Sequence, residues 1–111
     1  MKIKQFEIWT ADLNPKQGTE PGKIRPVVII QTDLLNDEHP STIICPLTTN
    51  IQEDVEFLRI HLKEGQGIKK SDILVDQMRS IDNRRLLNRI GQLNPQQKDR
   101  LKQSIRIILD L

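Results

Sequence analysis

The sequence predicts an α+β domain in which a small, strongly curved antiparallel sheet is followed by a C-terminal helix. Three observations predict it. The runs PVVII (Pro26 to Ile30) and STIICPL (Ser41 to Leu47) are short, apolar and β-branched, the pattern of strands buried on both faces. The last stretch repeats its apolar residues at helical spacing instead, through Leu101, Ile105, Ile108 and Leu109. Strand patterns precede helix patterns without βαβ alternation, which places the strands in one largely antiparallel sheet.

The first strand is expected over Phe6 to Leu13 (FEIWTADL), where Phe6 and Ile8 alternate with polar neighbours before the pattern loosens at Trp9 and Leu13. Residues 14–23 hold two Pro and two Gly without periodicity, a loop long enough to suggest function rather than mere connection. Pro26 opens the second strand, where its missing N–H costs no ladder bond. Thr32 or Asp33 can cap a single helical turn through Leu35, and Ser41 to Leu47 forms the third strand. Val55 to Leu62 (VEFLRIHL) follows as a strand with one irregularity, readable as a bulge. Ile73 to Ile81 (ILVDQMRSI) reads as another, its polar residues gathered toward the C-terminal end. Asp82 is expected to cap a short helix through Arg89, ended by Gly91. Asn94 then caps the final helix, with Pro95 at the first helical position and Gln97 three residues after the cap.

A chain of 111 residues can bury about two-thirds of its extended surface, enough for one core and too little for two. One domain over residues 1–111 is therefore expected, with any site on its surface or between copies of it. Hydrophobic residues at 36% and charged residues at 29% mark a globular chain rather than a disordered one. No apolar run approaches membrane-spanning length, and Met1 to Trp9 lacks the apolar stretch of a signal peptide. No membrane partner and a reducing, cytoplasmic location are expected. Cys45 is the single cysteine, which excludes an intrachain disulfide. His39 and His61 lie 22 residues apart without metal-ligand spacing, so neither a metal nor another cofactor is expected. Phosphate-binding glycine motifs and the serine-hydrolase elbow are missing as well. Charge is uneven: residues 1–82 carry 10 Lys/Arg against 13 Asp/Glu, and residues 83–111 carry 7 against 2. A basic C-terminal quarter either attracts a polyanion or solvates a helix face, and the second is the commoner arrangement.

Four blocks carry a resemblance. EIWTADLNP (Glu7 to Pro15), GTEPGKIRPVVII (Gly18 to Ile30), PLTTN (Pro46 to Asn50) and VDQMRSID (Val75 to Asp82) stand in the order and spacing of the MazF/PemK toxins, which the chain resembles from first strand to last helix. The resemblance implies a small SH3-like antiparallel β-barrel of the CcdB/PemK kind with a C-terminal helix. It implies the toxin of a type II toxin–antitoxin system, an endoribonuclease that cleaves single-stranded RNA (mRNA) at particular sequences without metal and so blocks translation and growth. It also implies a homodimer and a cognate antitoxin whose disordered acidic segment covers the RNA groove.

RNA cleavage without metal uses the substrate's 2′-hydroxyl as nucleophile and leaves a 2′,3′-cyclic phosphate and a 5′-hydroxyl. It needs a base for the hydroxyl proton, a cation for the charge developing on the phosphorane, and hydrogen bonds that hold the phosphate in line. By resemblance, Arg25, Thr48 and Glu20 fall on the family's catalytic positions. Arg25 offers a permanently charged planar fork suited to phosphate, Thr48 a hydroxyl, and Glu20 a carboxylate base, although loop glutamates are commonly just solvated. The RNA-binding candidates are Thr19, Lys23, Thr49, Asn50, Asp76 and Gln77. In some relatives the block at Asp76 and Gln77 contributes a catalytic or base-contacting acid, which leaves the base open between Glu20, Asp76 or another group. One branch of the family has histidine where Thr19 stands and arginine where Leu74 stands, so a mechanism built on those two is closed to this chain. Phe6, Trp9 and Phe57 are the only 3 aromatic residues, so base recognition rests on hydrogen bonds and shape in residues 14–23 and 49–54 rather than on stacking. Trp9 is read as a core or dimer-interface residue. Arg84, Arg85 and Arg89 are read as solvated charges first and phosphate contacts second.

Two other functions remain open at this point. A gyrase-binding poison of the CcdB type shares the implied fold but depends on a tryptophan near its C-terminal end, whereas residues 105–111 (IRIILDL) hold none. A non-catalytic SH3-like binding module would need an aromatic-lined groove, for which three aromatics are few.

Overall fold

The computed structural model describes residues 2–14, 18–19, 23–54, 57–65 and 68–111. Among these residues seven strands, β1 (Glu7–Asp12), β2 (Ile24–Ile29), β3 (Ser41–Thr48), β4 (Arg59–Leu62), β5 (Ser71–Leu74), β6 (Arg79–Asp82) and β7 (Leu86–Gln92), precede one helix, α1 (Pro95–Leu109). They form an antiparallel sheet ordered β4-β5-β3-β2-β1-β7, with β6 also paired to β3. β3 accounts for the curvature. Its first half, Ser41 to Ile44, pairs with β6, while Leu47 and Thr48 pair with β5. A 3-10 turn at Val75–Gln77 carries the chain from one half to the other. Among the described residues no ladder joins β4 to β7, so the sheet curls like a barrel but stays open.

Period-two alternation divides the central strands between two cores. Ile8, Val28, Cys45 and Leu47 face one side with Ile60, Leu62, Ile73 and Leu101 of α1. Their neighbours Trp9, Ala11, Val27, Ile29 and Ile44 face the other with Ile3, Ile81 and Leu86. This is why PVVII carries no polar alternation: Val27, Val28 and Ile29 are all fully buried, on opposite faces. Trp9 is a core residue, and its indole N–H donates to Glu7 Oε1 at 3.1 Å.

The helix is capped as the sequence predicts. Asn94 Oδ1 accepts from the Gln97 N–H at 2.8 Å, and Gln97 Oε1 accepts from the Asn94 N–H at 2.9 Å. Leu101 is buried, and Ile105 and Ile108 pack at the edge of the same core, but Leu109 is half exposed. Among the described residues, no helix is long and apolar enough to cross a membrane.

Several expected elements differ. The helix expected from Asp82 to Arg89 is instead one 3-10 turn, Asn83–Arg85, followed by β7. Asp82 does cap that turn, accepting from the Arg84 N–H at 2.8 Å. Residues from Leu86 onward then pair with β1, from Ala11 opposite Leu86 to Glu7 opposite Gln92, with two register shifts. A short isolated helix is marginal, and a free strand edge offers those backbone groups better partners. The run from Ile73 to Ile81 is broken into β5, the Val75–Gln77 turn and β6, because its two ends pair with different halves of β3. Of Val55 to Leu62, the strand covers Arg59–Leu62, Phe57 and Leu58 form a turn, and residues 55 and 56 lie outside the described residues. The second strand begins at Ile24, two residues before Pro26, and residues 33–38 form turns rather than a helical turn. Phe6 precedes β1 with φ of 68°, its N–H donating to the Ile29 C=O at 2.7 Å and its C=O accepting from the Leu93 N–H at 2.9 Å.

Candidate active site

β2 and β3 run antiparallel with Val27 opposite Pro46 and Ile29 opposite Ile44. Continued toward the start of β2, that register sets Arg25 against Thr48 at one rim of the sheet. Side chains of Arg25, Thr48 and Thr49 line one cleft of about 480 Å³, with Thr10, Lys69 and Ser71 completing its polar wall. Arg25 is half buried, and its Nη1 donates to the Leu47 C=O at 3.3 Å, which orients the fork from the neighbouring strand. Thr48 Oγ1 accepts from the Asn50 N–H at 3.2 Å, so its lone proton remains available for donation into the cleft. A guanidinium and a hydroxyl on facing strands, with the Lys69 ammonium nearby, make a pocket suited to a phosphodiester.

The other candidates are distributed differently. Thr19, Asp76 and Gln77 line a second, smaller cleft of about 210 Å³ together with Gln52 and Arg59. Asp76 is exposed and belongs to the Val75–Gln77 turn, outside the walls of the Arg25 cleft. Lys23 and Asn50 are exposed and line neither cleft. Lys23 has φ of 69°, and its N–H donates to Asn14 Oδ1 at 2.7 Å. Glu20 lies outside the described residues.

Side chains that the sequence did not single out surround Asp72. This aspartate is fully buried and is met by His61 Nδ1 at 2.5 Å, Arg59 Nη1 at 3.2 Å and the Gln52 N–H at 3.0 Å. Burial pushes its carboxyl upward, but the bonds from Gln52, His61 and Arg59 outweigh this and hold it below the ordinary carboxylate range. Period-two alternation in RIHL does place Arg59 and His61 on one face, yet nothing local announces Asp72 as their partner. Three of the basic residues near the C-terminus are committed within the fold. Arg84 pairs with Asp82 on the surface, Arg85 donates to the backbone carbonyls of Asp12 and Asn14, and Arg89 pairs with Glu7. Cys45 is buried and its thiol is pushed up to about 12, by burial first and by the Asp76 charge second, which removes it as a nucleophile.

The sequence pattern of the PemK-like, MazF-like toxins of type II toxin–antitoxin systems matches residues 4–109. Endoribonuclease EndoA of Bacillus subtilis (strain 168) is 34% identical over 113 residues, which cover 100% of this chain and 97% of EndoA. The crystal structure of MazF (Form-I) from Deinococcus radiodurans is similar with a TM-score of 0.86 at 18% identity, covering 100% of this chain and 99% of that one. An endoribonuclease in complex with its cognate antitoxin, from a mycobacterial species, is similar with a TM-score of 0.79 at 13% identity, covering 98% and 96%. The two solved structures share this fold, and the family pattern spans every strand and the helix. The chain therefore belongs to the PemK-like, MazF-like toxins of type II toxin–antitoxin systems.

Proposed function

We propose that the cleft holding Arg25 and Thr48 is where this toxin cleaves single-stranded RNA, as an endoribonuclease like the EndoA it resembles. The observation that carries the reading is the convergence of a positioned guanidinium and a hydroxyl from adjacent strands on one cleft. The 2′-hydroxyl of the bound nucleotide attacks the adjacent phosphorus. Arg25 stabilises the negative charge of the phosphorane, Thr48 donates to a non-bridging oxygen, and the P–O5′ bond breaks as the 5′-oxygen takes up a proton from water to leave as a hydroxyl. Glu20 is assigned as the base on its place in the family motif. Asp76, which stands in the other cleft, is assigned with Thr19 and Gln77 to contacts with a neighbouring nucleotide. Lys23, Thr49 and Asn50 complete the RNA-binding set.

The working molecule is a cytoplasmic homodimer. Ile24 and Leu87, 60% and 43% exposed, supply apolar area for the partner. Its cognate antitoxin inhibits it by laying an acidic segment in the RNA groove; the mycobacterial endoribonuclease similar to this chain is seen in complex with its cognate antitoxin.

Incubation with mixed single-stranded RNA in excess EDTA tests the reaction. Fragments ending in 2′,3′-cyclic phosphate and 5′-hydroxyl are expected. Loss of cleavage in EDTA, restored by magnesium, would point to metal-bound hydroxide instead.

A further inference from the structure

Asp72 occupies a position in β5 that faces the catalytic strand directly: in the two ladders it opposes Thr48 of β3 on one side and His61 of β4 on the other. A fully buried carboxylate is costly unless it is well partnered, and a well-packed apolar residue there would serve stability as well or better. What this carboxylate does is gather donors from the loop that follows Thr48. Oδ2 accepts from the Gln52 N–H at 3.0 Å and from Arg59 Nη1 at 3.2 Å. The same Arg59 Nη1 donates to the Asn50 C=O at 2.7 Å. The Asn50 N–H in turn donates to Thr48 Oγ1 at 3.2 Å. On the far side Oδ1 is held by His61 Nδ1 at 2.5 Å, so the carboxylate cannot rotate without breaking a second contact.

The geometry points to Asp72 and Arg59 as positioning residues for cleavage: they clamp the backbone of Asn50 and Gln52 and thereby set the rotamer of the Thr48 hydroxyl. Neither side chain lines the cleft of Arg25 and Thr48; Asp72 is buried, and Arg59 borders the second cleft. They act through two backbone peptides, which is why the side chains of Asn50 and Gln52 are not required for the clamp. The inference rests on the reading of Thr48 given above. Arg59 is the informative position, because its one nitrogen serves both Asp72 and Asn50, and a lysine ammonium on a shorter, point-charged head would not keep both contacts in line.

The test is a double-mutant cycle on the full chain, reading the single-turnover cleavage rate at saturating RNA. Arg59→Lys should lower that rate by about tenfold or more with Thr48 present, and by less than about twofold in the Thr48→Val background, since the hydroxyl it positions is then gone. Asp72→Asn should behave in the same way. Where Asp72→Asn does not fold, Arg59→Lys, on a partly exposed side chain, carries the cycle. KM should change little, and amide hydrogen exchange at Asn50 and Gln52 should accelerate in both variants. Equal losses in the two backgrounds, or a folded Arg59→Lys protein with an unchanged rate, would overturn the inference and leave the role of Thr48 intact. If Thr48→Val alone cleaves at the full rate, the reading of Thr48 fails, and the positioning role fails with it.

Discussion

Arg25 is the second residue of β2, and its fork is anchored by the Leu47 carbonyl of the next strand at 3.3 Å. Removing it separates chemistry from folding. Arg25→Ala should lower the single-turnover rate by about two to three orders of magnitude, roughly 3 to 4 kcal/mol, by analogy with loss of one oxyanion donor. The hydrogen bond to Leu47 contributes about 1 kcal/mol, so thermal unfolding should shift only slightly. Arg25→Lys keeps the charge, loses the bidentate fork and should recover part of the rate. Cleavage by Arg25→Ala within about threefold of the unmodified protein would remove Arg25 from the mechanism. Asp72 gives the residue scale a second measurement. Its carboxyl titrates lower when folded than when unfolded, so its contribution is present above the unfolded value, near 4, and is lost as pH falls through the lower folded value. Urea midpoints should therefore drop in acid below about pH 4, and Asp72→Asn should flatten that drop. An unchanged acid profile would show that the carboxyl is not held down in the fold.

At the scale of elements, α1 is a local decision and β7 is not. Two reciprocal side-chain bonds close the first turn of the 15-residue helix. Asn94→Ala removes the bond accepted by the Asn94 side chain and leaves the Asn94 N–H still able to donate to Gln97, which should cost about 1 kcal/mol and lower the melting temperature while leaving the cleavage rate unchanged. Leu101 is the helix's anchor, fully buried against the sheet. Leu101→Ala should cost about 2 to 5 kcal/mol in denaturant unfolding, and a loss under about 1 would mean the helix docks on other contacts. β7 exists because β1 has an open edge. Its exposed residues Leu87, Asn88 and Arg89 alternate poorly, and its backbone bonds to β1 replace the helix that Asp82 begins to cap. The loop between β3 and β4 likewise takes its shape from outside itself, through Asp72 and Arg59.

For the whole molecule, the proposed site implies one groove for two polyanions. A cleft built from Arg25, Lys69 and hydroxyls to receive phosphates also accepts carboxylates, so RNA and an acidic antitoxin segment should exclude one another. Competition against a fluorescent, uncleavable 2′-deoxy analogue should be complete, and both affinities should weaken as salt rises. A ternary complex at full occupancy would separate the two sites. Dimerisation belongs to this scale too. Sedimentation is expected to give a dimer burying on the order of 1,600 Å², and a stable, fully active monomer at nanomolar concentration would refute it.

What the sequence determined by itself is what neighbouring residues decide among themselves. The capping box from Asn94 to Gln97, the helical stripe through Leu101, and the β-branched runs of β2 and β3 are each short-range patterns, and each stands where local chemistry places it. The four family blocks likewise identify the toxins and bring forward Arg25 and Thr48, which do share a cleft. Tertiary structure decided everything that depends on which strand lies beside which. LLNRI satisfies a helix or a strand equally well, and the free edge of β1 chose the strand. The divided pairing of β3 broke one expected strand into two and turned Asp76 and Gln77 toward a different cleft from Thr48. Asp72 meets His61 across 11 positions and Gln52 across 20, separations at which no period carries information and only the pairing of the strands brings the groups together.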